Sequence, residues 1–337
     1  MQNKLIGLIV LVLIAAGGYL GISAVNEPST LTLYSGRGES MVRPMIERFE
    51  SRTGINVDVR YGDTAQLAVL LQEEGDQTPA DVFWGQDAGA MGSLAKADRL
   101  ATLPESLYSD LPPIFRSRTG EWVAVTGRAR TFVYSPERVS ESEKPESVFD
   151  LTEPQYEGRV GWAPTNGSFQ SFVTAMRHEH GDERTLEWLE AMDDNGVEAF
   201  RNNSSQVEGV ADGAIDFGLV NNYYLPRYKA NDEQYPAEQD FFESGDIGNL
   251  VNVAGTGIIK GTENREQAVE FIRFLLSPEA QEYFTQEVHE YPVRSDVERN
   301  PQLKPLEELV NAAPEINLDE LEDLEGTLDL LREADLI

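Results

Sequence analysis

Leu31-Thr32-Leu33-Tyr34-Ser35-Gly36-Arg37-Gly38 carries the first decision about the fold. Its first four residues alternate as a strand, and the Ser-Gly-Arg-Gly run then breaks it. Behind it, Met41, Met45, Ile46 and Phe49 recur at helical spacing, and Gly54 stands where a helix C-cap belongs. Residues 55–61 read as a second strand, 64–74 as a second helix and 80–84 as a third strand. A β-α-β-α-β order with short connections predicts a mostly parallel sheet with helices on both faces, an α/β fold. Ligands of such sheets sit at the carboxyl ends of strands. Those ends are Tyr34 to Glu39 and Gly85 to Asp87.

The chain continues with a long extended run, 122–135, interrupted by Gly127-Arg128-Ala129-Arg130. Strand 160–162 leads into Pro164-Thr165-Asn166-Gly167-Ser168-Phe169, followed by helices over 169–180 and 183–195. A polar turn, Asn202-Asn203-Ser204-Ser205, precedes a short helix over 206–212. The apolar strand 215–220 then ends in two amides and two phenols, Asn221-Asn222-Tyr223-Tyr224, before Pro226. A strand over 250–259 and a helix over 265–276 follow. Ser277 and Pro278 start the next helix as N-cap and first helical residue. The C-terminal stretch reads as acidic helix. Trp84 and Trp162 are expected to pack near a cleft, with an aromatic cage for an organic cation as the rival use.

At 337 residues the chain is too long for one small core and fits two lobes or one large domain. Its 59 acidic against 27 basic residues give a net charge of −32, while a hydrophobic content of 40% excludes disorder as the explanation. Such a surface repels nucleic acid. The acids are dispersed rather than gathered in a tail, as in proteins adapted to high salt, where self-repulsion is screened. A halophilic source is therefore expected, and stability against denaturant should rise from low to molar salt; equal stability in both would count against it. The absence of cysteine excludes disulfides, thiolate metal sites and a cysteine nucleophile. Residues 5–25 carry no charge, and twenty-one residues span roughly 31 Å as a helix, about a bilayer's hydrocarbon thickness. With Lys4 on the inner side, an N-terminal signal-anchor helix holding the rest outside the cell membrane is expected, or a cleaved secretory leader.

Adjacent phenols are ordinary packing in many strands, but they also suit a hard trivalent cation. A phenol with a pKa of ~10 is neutral at pH 7, and a metal can displace its proton. The segments quoted so far, together with Phe49-Glu50-Ser51-Arg52-Thr53-Gly54-Ile55, Pro79-Ala80-Asp81-Val82-Phe83-Trp84 and Glu290-Tyr291-Pro292-Val293, resemble the ferric-iron-binding proteins of ABC transporters. The resemblance covers essentially all of 30–337. It implies a two-lobed class II periplasmic-binding-protein fold: 1–29 as leader and linker, 30–130 with 252–302 as one lobe, 131–251 with 303–337 as the other. It implies that Tyr223 and Tyr224 coordinate Fe³⁺, and that Asn166, Gly167 and Ser168 open a helix whose N-terminus holds a synergistic phosphate or carbonate. Asn203 and Asn221 fall where relatives place anion-contacting amides, and Arg128 lies on the strand crossing between lobes. Arg128 and Arg130 point the same way, and either could instead pair with carboxylates. Where relatives offer a first-loop histidine and a glutamate after the third strand, this chain has Gly38 followed by Glu39, and Gln86 followed by Asp87. Glu39 and Gln86 are thus the expected remaining ligands, giving an all-oxygen shell.

His178 and His180 read as exposed helix-end residues rather than ligands, and His289 as structural. No nucleotide or dinucleotide motif and no nucleophile–base pair occurs, so a receptor is expected and not an enzyme. The resemblance implies a monomer that closes on iron and docks on a membrane permease with its ATPase subunits. Other small solutes on the same fold (a polyamine, thiamine, a phosphonate or an oxyanion) are the alternative, and a tethered sensor without a transporter is a further one.

Overall fold

The computed structural model describes residues 30–337. The apolar segment 5–25, and with it the anchor expectation, lies outside the described residues. Among those described, no helix is long and apolar enough to cross a membrane.

Strand β1 (Thr30–Ser35) is flanked by parallel β2 (Asn56–Tyr61) and β3 (Val82–Trp84), as the alternation predicts. Helix α1 (Glu39–Thr53) buries Val42, Met45, Ile46 and Phe49 and ends at Gly54 in the left-handed conformation. Asp63 and Asp87 cap α2 (Thr64–Glu74) and α3 (Ala88–Lys96) by accepting hydrogen bonds from free backbone N–H groups. Both helices therefore start beside the carboxyl ends of the strands. A Cβ at Gly36 would fall 2.0 Å from Thr64 Oγ1, so the β1–α1 turn presses directly on the start of α2.

The expected interruption at Gly127-Arg128-Ala129-Arg130 is corrected. Strand β5 (Val123–Tyr134) runs unbroken for 12 residues. Gly127 is there for packing: a Cβ would meet the Phe115 ring at 2.7 Å. What changes within that run is the partner. Up to Ala129, β5 pairs antiparallel with β10 (Val251–Ile259); from Arg130 it pairs antiparallel with β8 (Phe217–Asn221). The Asn222 side chain holds this exchange point by accepting from Ala129 N at 2.8 Å, and Asn222 N donates to Ala129 O at 2.9 Å. One sheet thus runs β2-β1-β3-β10-β5, and a second continues as β5-β8-β6-β7, with β6 at Val160–Trp162 and β7 at Glu198–Ala199. A bulge lies between Ala254 and Gly255 of β10, and strand irregularities of this kind bend the sheet.

Two further expectations change. The polar run 202–205 is no turn but the start of α6 (Asn203–Asp212), with Asn202 and Ser205 capping each other reciprocally. The C-terminal stretch is not one helix: α10 (Leu306–Ala312) and α11 (Leu324–Glu333) flank a connector with a short 3₁₀ turn at Leu318–Glu320. That connector lies against α3, where a Cβ at Gly89 or Gly92 would fall 2.3 Å from Leu321 O or 2.4 Å from Asp319 O. Trp122 Nε1 donates to Asp319 at 2.7 Å, while Arg177 on α4 (Gly167–His180) pairs with Asp323 at 3.0 Å. The C-terminal connector therefore touches both halves of the molecule.

Trp84 and Trp162 do not form a cage. Trp84 packs on Phe271 and Phe284, Trp162 on Phe169 and Trp188, and neither is more than 1% exposed. Burial of such large apolar area outweighs any use at a wet cleft.

Candidate functional site between the two sheets

Strand β8 ends at Asn221, the Asn222 backbone is tied to β5, and helix α7 (Tyr224–Lys229) starts at once. Two successive phenols are thereby placed on a sharply turning backbone. Their rings stack at 4.5 Å between centroids with a 29° interplanar angle, and their hydroxyls lie 3.4 Å apart. Both line a cleft of about 480 Å³. Tyr223 is 6% exposed and Tyr224 half-buried.

The surroundings are cationic in a chain of charge −32. Arg227 lies over both rings, 4.7 Å from the Tyr223 centroid and 5.4 Å from that of Tyr224. Arg130 is buried beneath the pair, donating to Leu219 O at 2.8 Å and to Asn203 Oδ1 at 3.3 Å, with Ser168 Oγ and Asn221 Oδ1 at 3.5 Å. Burial pulls the Arg130 guanidinium down to about 10, and the two nearby phenols work against that. Arg128, 3% exposed, lines the cleft and keeps Nη1 without a protein partner. Neither Arg128 nor Arg130 forms a salt bridge among the described residues. Burial, then the proximity of Tyr223, raises the Tyr224 phenol well above its ordinary value, with Arg227 and Arg128 opposing the rise. Without a ligand Tyr224 is thus protonated at neutral pH.

Asn166 caps α4, accepting from Ser168 N at 3.1 Å and Ser168 Oγ at 2.7 Å. Asn203 Nδ2 donates to Asn166 Oδ1 and Ser168 Oγ, each at 3.2 Å. Asn203 Oδ1 accepts from Asn221 N at 3.1 Å, and Asn221 Nδ2 donates to Tyr223 Oη at 3.5 Å. One polar chain therefore links the N-terminus of α4 to the phenols, and Gly167 faces open space. A helix start, an unpartnered guanidinium nitrogen and two phenols can together hold a hard cation with an anion beside it.

Residues 44–314 match the model of the family described as bacterial extracellular solute-binding protein. The "Fe(3+)-binding periplasmic protein" of Serratia marcescens is 30% identical, over 94% of this chain and 94% of its own. The chain belongs to the bacterial extracellular solute-binding proteins, in the family of the periplasmic iron-binding proteins. Iron-bound HitA from Pseudomonas aeruginosa superposes with a TM-score of 0.82 at 32% identity, covering 91% of this chain and 99% of that one. A Trichodesmium protein in complex with iron and citrate gives 0.79 at 27% identity, covering 92% and 100%. The two-lobed α/β fold of this solute-binding family is the fold of this chain.

Within that fold the expected residues divide. Tyr223, Tyr224, Gln86, Arg128, Asn166, Gly167 and Ser168 line one cleft. Asn203 and Asn221 lie buried directly behind it. Glu39 does not line it: its carboxylate is exposed in the first turn of α1 and paired with Arg43 at 2.8 Å. His178 pairs with Glu320 at 2.6 Å, His180 packs edge-on against Phe149, and His289 meets Asn300 at 2.9 Å.

Sequence reasoning overlooked several residues. Arg227 over the rings and Asn222 at the strand exchange have no role assigned from the sequence, and Arg130 is expected there beside an anion or a carboxylate rather than as the support of the tyrosine pair. The spacing Tyr223 to Arg227 was a usable signal, since positions three or four apart meet on a helix. The buried pair Arg37–Glu290, 2.8 Å apart, joins residues 253 positions apart and had no local signal.

Proposed function

We propose that this protein is an extracytoplasmic receptor that captures ferric iron in the inter-lobe cleft and delivers it to an ABC import permease. The observation that carries the reading is the stacked pair Tyr223–Tyr224, whose hydroxyls converge at 3.4 Å on the cleft wall, with Arg128, Arg130 and Arg227 close to the rings. Tyr223 and Tyr224 bind the metal as phenolates. The anion, phosphate or carbonate, sits at Asn166, Gly167 and Ser168 with Arg128, while Asn203, Asn221 and Arg130 hold the seat in shape. Gln86 faces the metal from the first lobe. Glu39 would have to release Arg43 and turn inward on closure to become a ligand. The Serratia relative, an Fe(3+)-binding periplasmic protein, and the iron-bound structure of the Pseudomonas relative support this assignment.

Closure pivots on β5 and β10, the strands shared or bent between the two sheets. The lobes divide near Arg130 and Val251. A leader at 5–25 retained as an anchor would keep the monomeric receptor at high effective concentration beside its permease.

Iron binding has a defined pH signature in this reading. A phenol that binds as phenolate gives up its proton to do so, so affinity falls as pH drops. Over the range where both phenols are protonated before binding, log Kd rises by about 2 per unit of acidification from these groups alone. Iron titrations at several pH values, with proton release followed in weak buffer, measure this. A flat profile contradicts phenolate ligation.

A further inference from the structure

One buried carboxylate stands beside the cleft without lining it. Glu290 is 1% exposed and comes just before β11 (Tyr291–Pro292). That strand pairs antiparallel with β5, Tyr291 opposite Gly127 and Pro292 opposite Thr126. The same register carried one residue back sets Glu290 opposite Arg128. Residues directly opposite in an antiparallel pair share a face, with Cβ atoms about 5 Å apart. Thr126, two positions from Arg128 along β5, lies on that face as well. A carboxylate, a hydroxyl and a guanidinium are thus grouped behind the wall that Arg128 presents to the cleft.

Yet Glu290 makes its short contacts elsewhere. Arg37 Nη2 donates to its Oε2 at 2.8 Å, and Thr126 Oγ1 donates to the same oxygen. No ion pair joins Glu290 to Arg128 among the described residues, and Arg128 Nη1 has no protein partner. The carboxylate is ionised all the same. Burial pushes it up, but Arg37, then Arg128, hold it below the usual carboxylate range. Arg128 therefore feels a full negative charge across the strand pair without committing a hydrogen bond to it. In a buried setting, where screening is weak, that charge opposes any anion settling on Arg128. The two contacts on Oε2 also keep the carboxylate from turning onto the free Nη1.

Resting on the anion seat proposed above, we infer that Glu290 is a positioning residue of that seat, acting through Arg128. Its charge weakens the hold on the anion, and its fixing by Arg37 and Thr126 leaves the guanidinium nitrogen open. A receptor must release what it holds. Arg128 and Arg130 have no ion-pair partner among the described residues, and Glu290 offsets the cationic charge that would retain the anion.

Two substitutions separate the charge from its placement, and they move phosphate affinity in opposite directions. Inorganic phosphate is titrated calorimetrically into the iron-free full chain, below the unfolding temperature of each variant. Glu290→Gln, which removes the charge, should bind at least about fivefold more tightly than wild type. Thr126→Val, which frees the carboxylate to reach Arg128, should bind at least about threefold more weakly, and Thr126→Ser, which keeps the hydroxyl, within about twofold of wild type. A merely structural Glu290 gives another pattern, because loosening this wall weakens the seat in both Glu290→Gln and Thr126→Val. Glu290→Gln binding phosphate no more tightly than wild type overturns the inference, as does Thr126→Val binding it like wild type. Either result leaves the anion seat standing as long as Arg128→Met loses phosphate. Wild type that binds no phosphate, or Arg128→Met that binds it like wild type, overturns the seat and this inference together.

Discussion

The double variant Tyr223→Phe/Tyr224→Phe should lose its iron: no visible phenolate-to-iron charge-transfer band, and affinity lower by roughly a thousandfold or more. Structural zinc sites in zinc-finger peptides are worth about 10–16 kcal/mol; on that scale removing two anionic donors costs several kcal/mol, and each 1.4 kcal/mol is about tenfold. The fold should survive. Phenyl rings refill the stacked position, and the deleted hydroxyls make only long contacts, 3.4 Å to each other and 3.5 Å from Asn221 Nδ2. Unchanged thermal unfolding of the apo variant separates loss of ligation from loss of structure. A band that persists in the double variant would remove these residues from the shell.

The second large effect is on stability. Glu290 is 1% exposed, pairs with Arg37 at 2.8 Å and accepts from Thr126 Oγ1. Burial alone would push its carboxyl up, but Arg37, then Arg128 and the Thr126 hydroxyl, hold it below the usual carboxylate range. Glu290→Gln removes the counter-charge from two buried guanidiniums, and breaking a buried pair from one side costs about 3–5 kcal/mol. A clear fall in Tm by calorimetry is expected. The double variant Arg37→Met/Glu290→Gln should recover part of it, because the stranded Arg37 charge goes too. The sign of the pH effect follows from the depressed value. The stabilisation from Glu290 is complete above the unfolded carboxyl value of ~4.3 and is lost as pH falls towards the lower folded one. Wild type should thus lose more stability than Glu290→Gln on acidification through that window. A Glu290→Gln protein with wild-type Tm would contradict the argument.

Much of this was legible in the chain itself because its signals are local. The β1–α1–β2–α2–β3 order followed from strand alternation, from the apolar face of α1 and from Gly54, each a property of a short window. The tyrosine pair and the Asn166-Gly167-Ser168 helix start were legible for the same reason. Trouble began where one residue serves two distant partners. Gly127 looks like a breaker in sequence, but its lack of a side chain admits the Phe115 ring. Asn203 looks like loop, but the reciprocal cap of Asn202 and Ser205 makes it the first helical residue and buries it behind the cleft. Glu290 and Arg37 meet only once β11 (Tyr291–Pro292) is laid beside Gly127 and Thr126 of β5, a pairing no window contains. Glu39, placed by resemblance, sits at the right end of β1, yet its neighbour one helical turn on, Arg43, captures the carboxylate at the surface.

The central claim is that one ferric ion bonds both phenols inside the cleft, and anomalous diffraction from a crystal of the iron-loaded protein tests it directly. The account predicts a single strong iron peak within bonding distance of Tyr223 Oη and Tyr224 Oη, with anion density against Gly167, Ser168 and Arg128. A peak lodged among surface carboxylates, with the two hydroxyls still facing only each other, would contradict it.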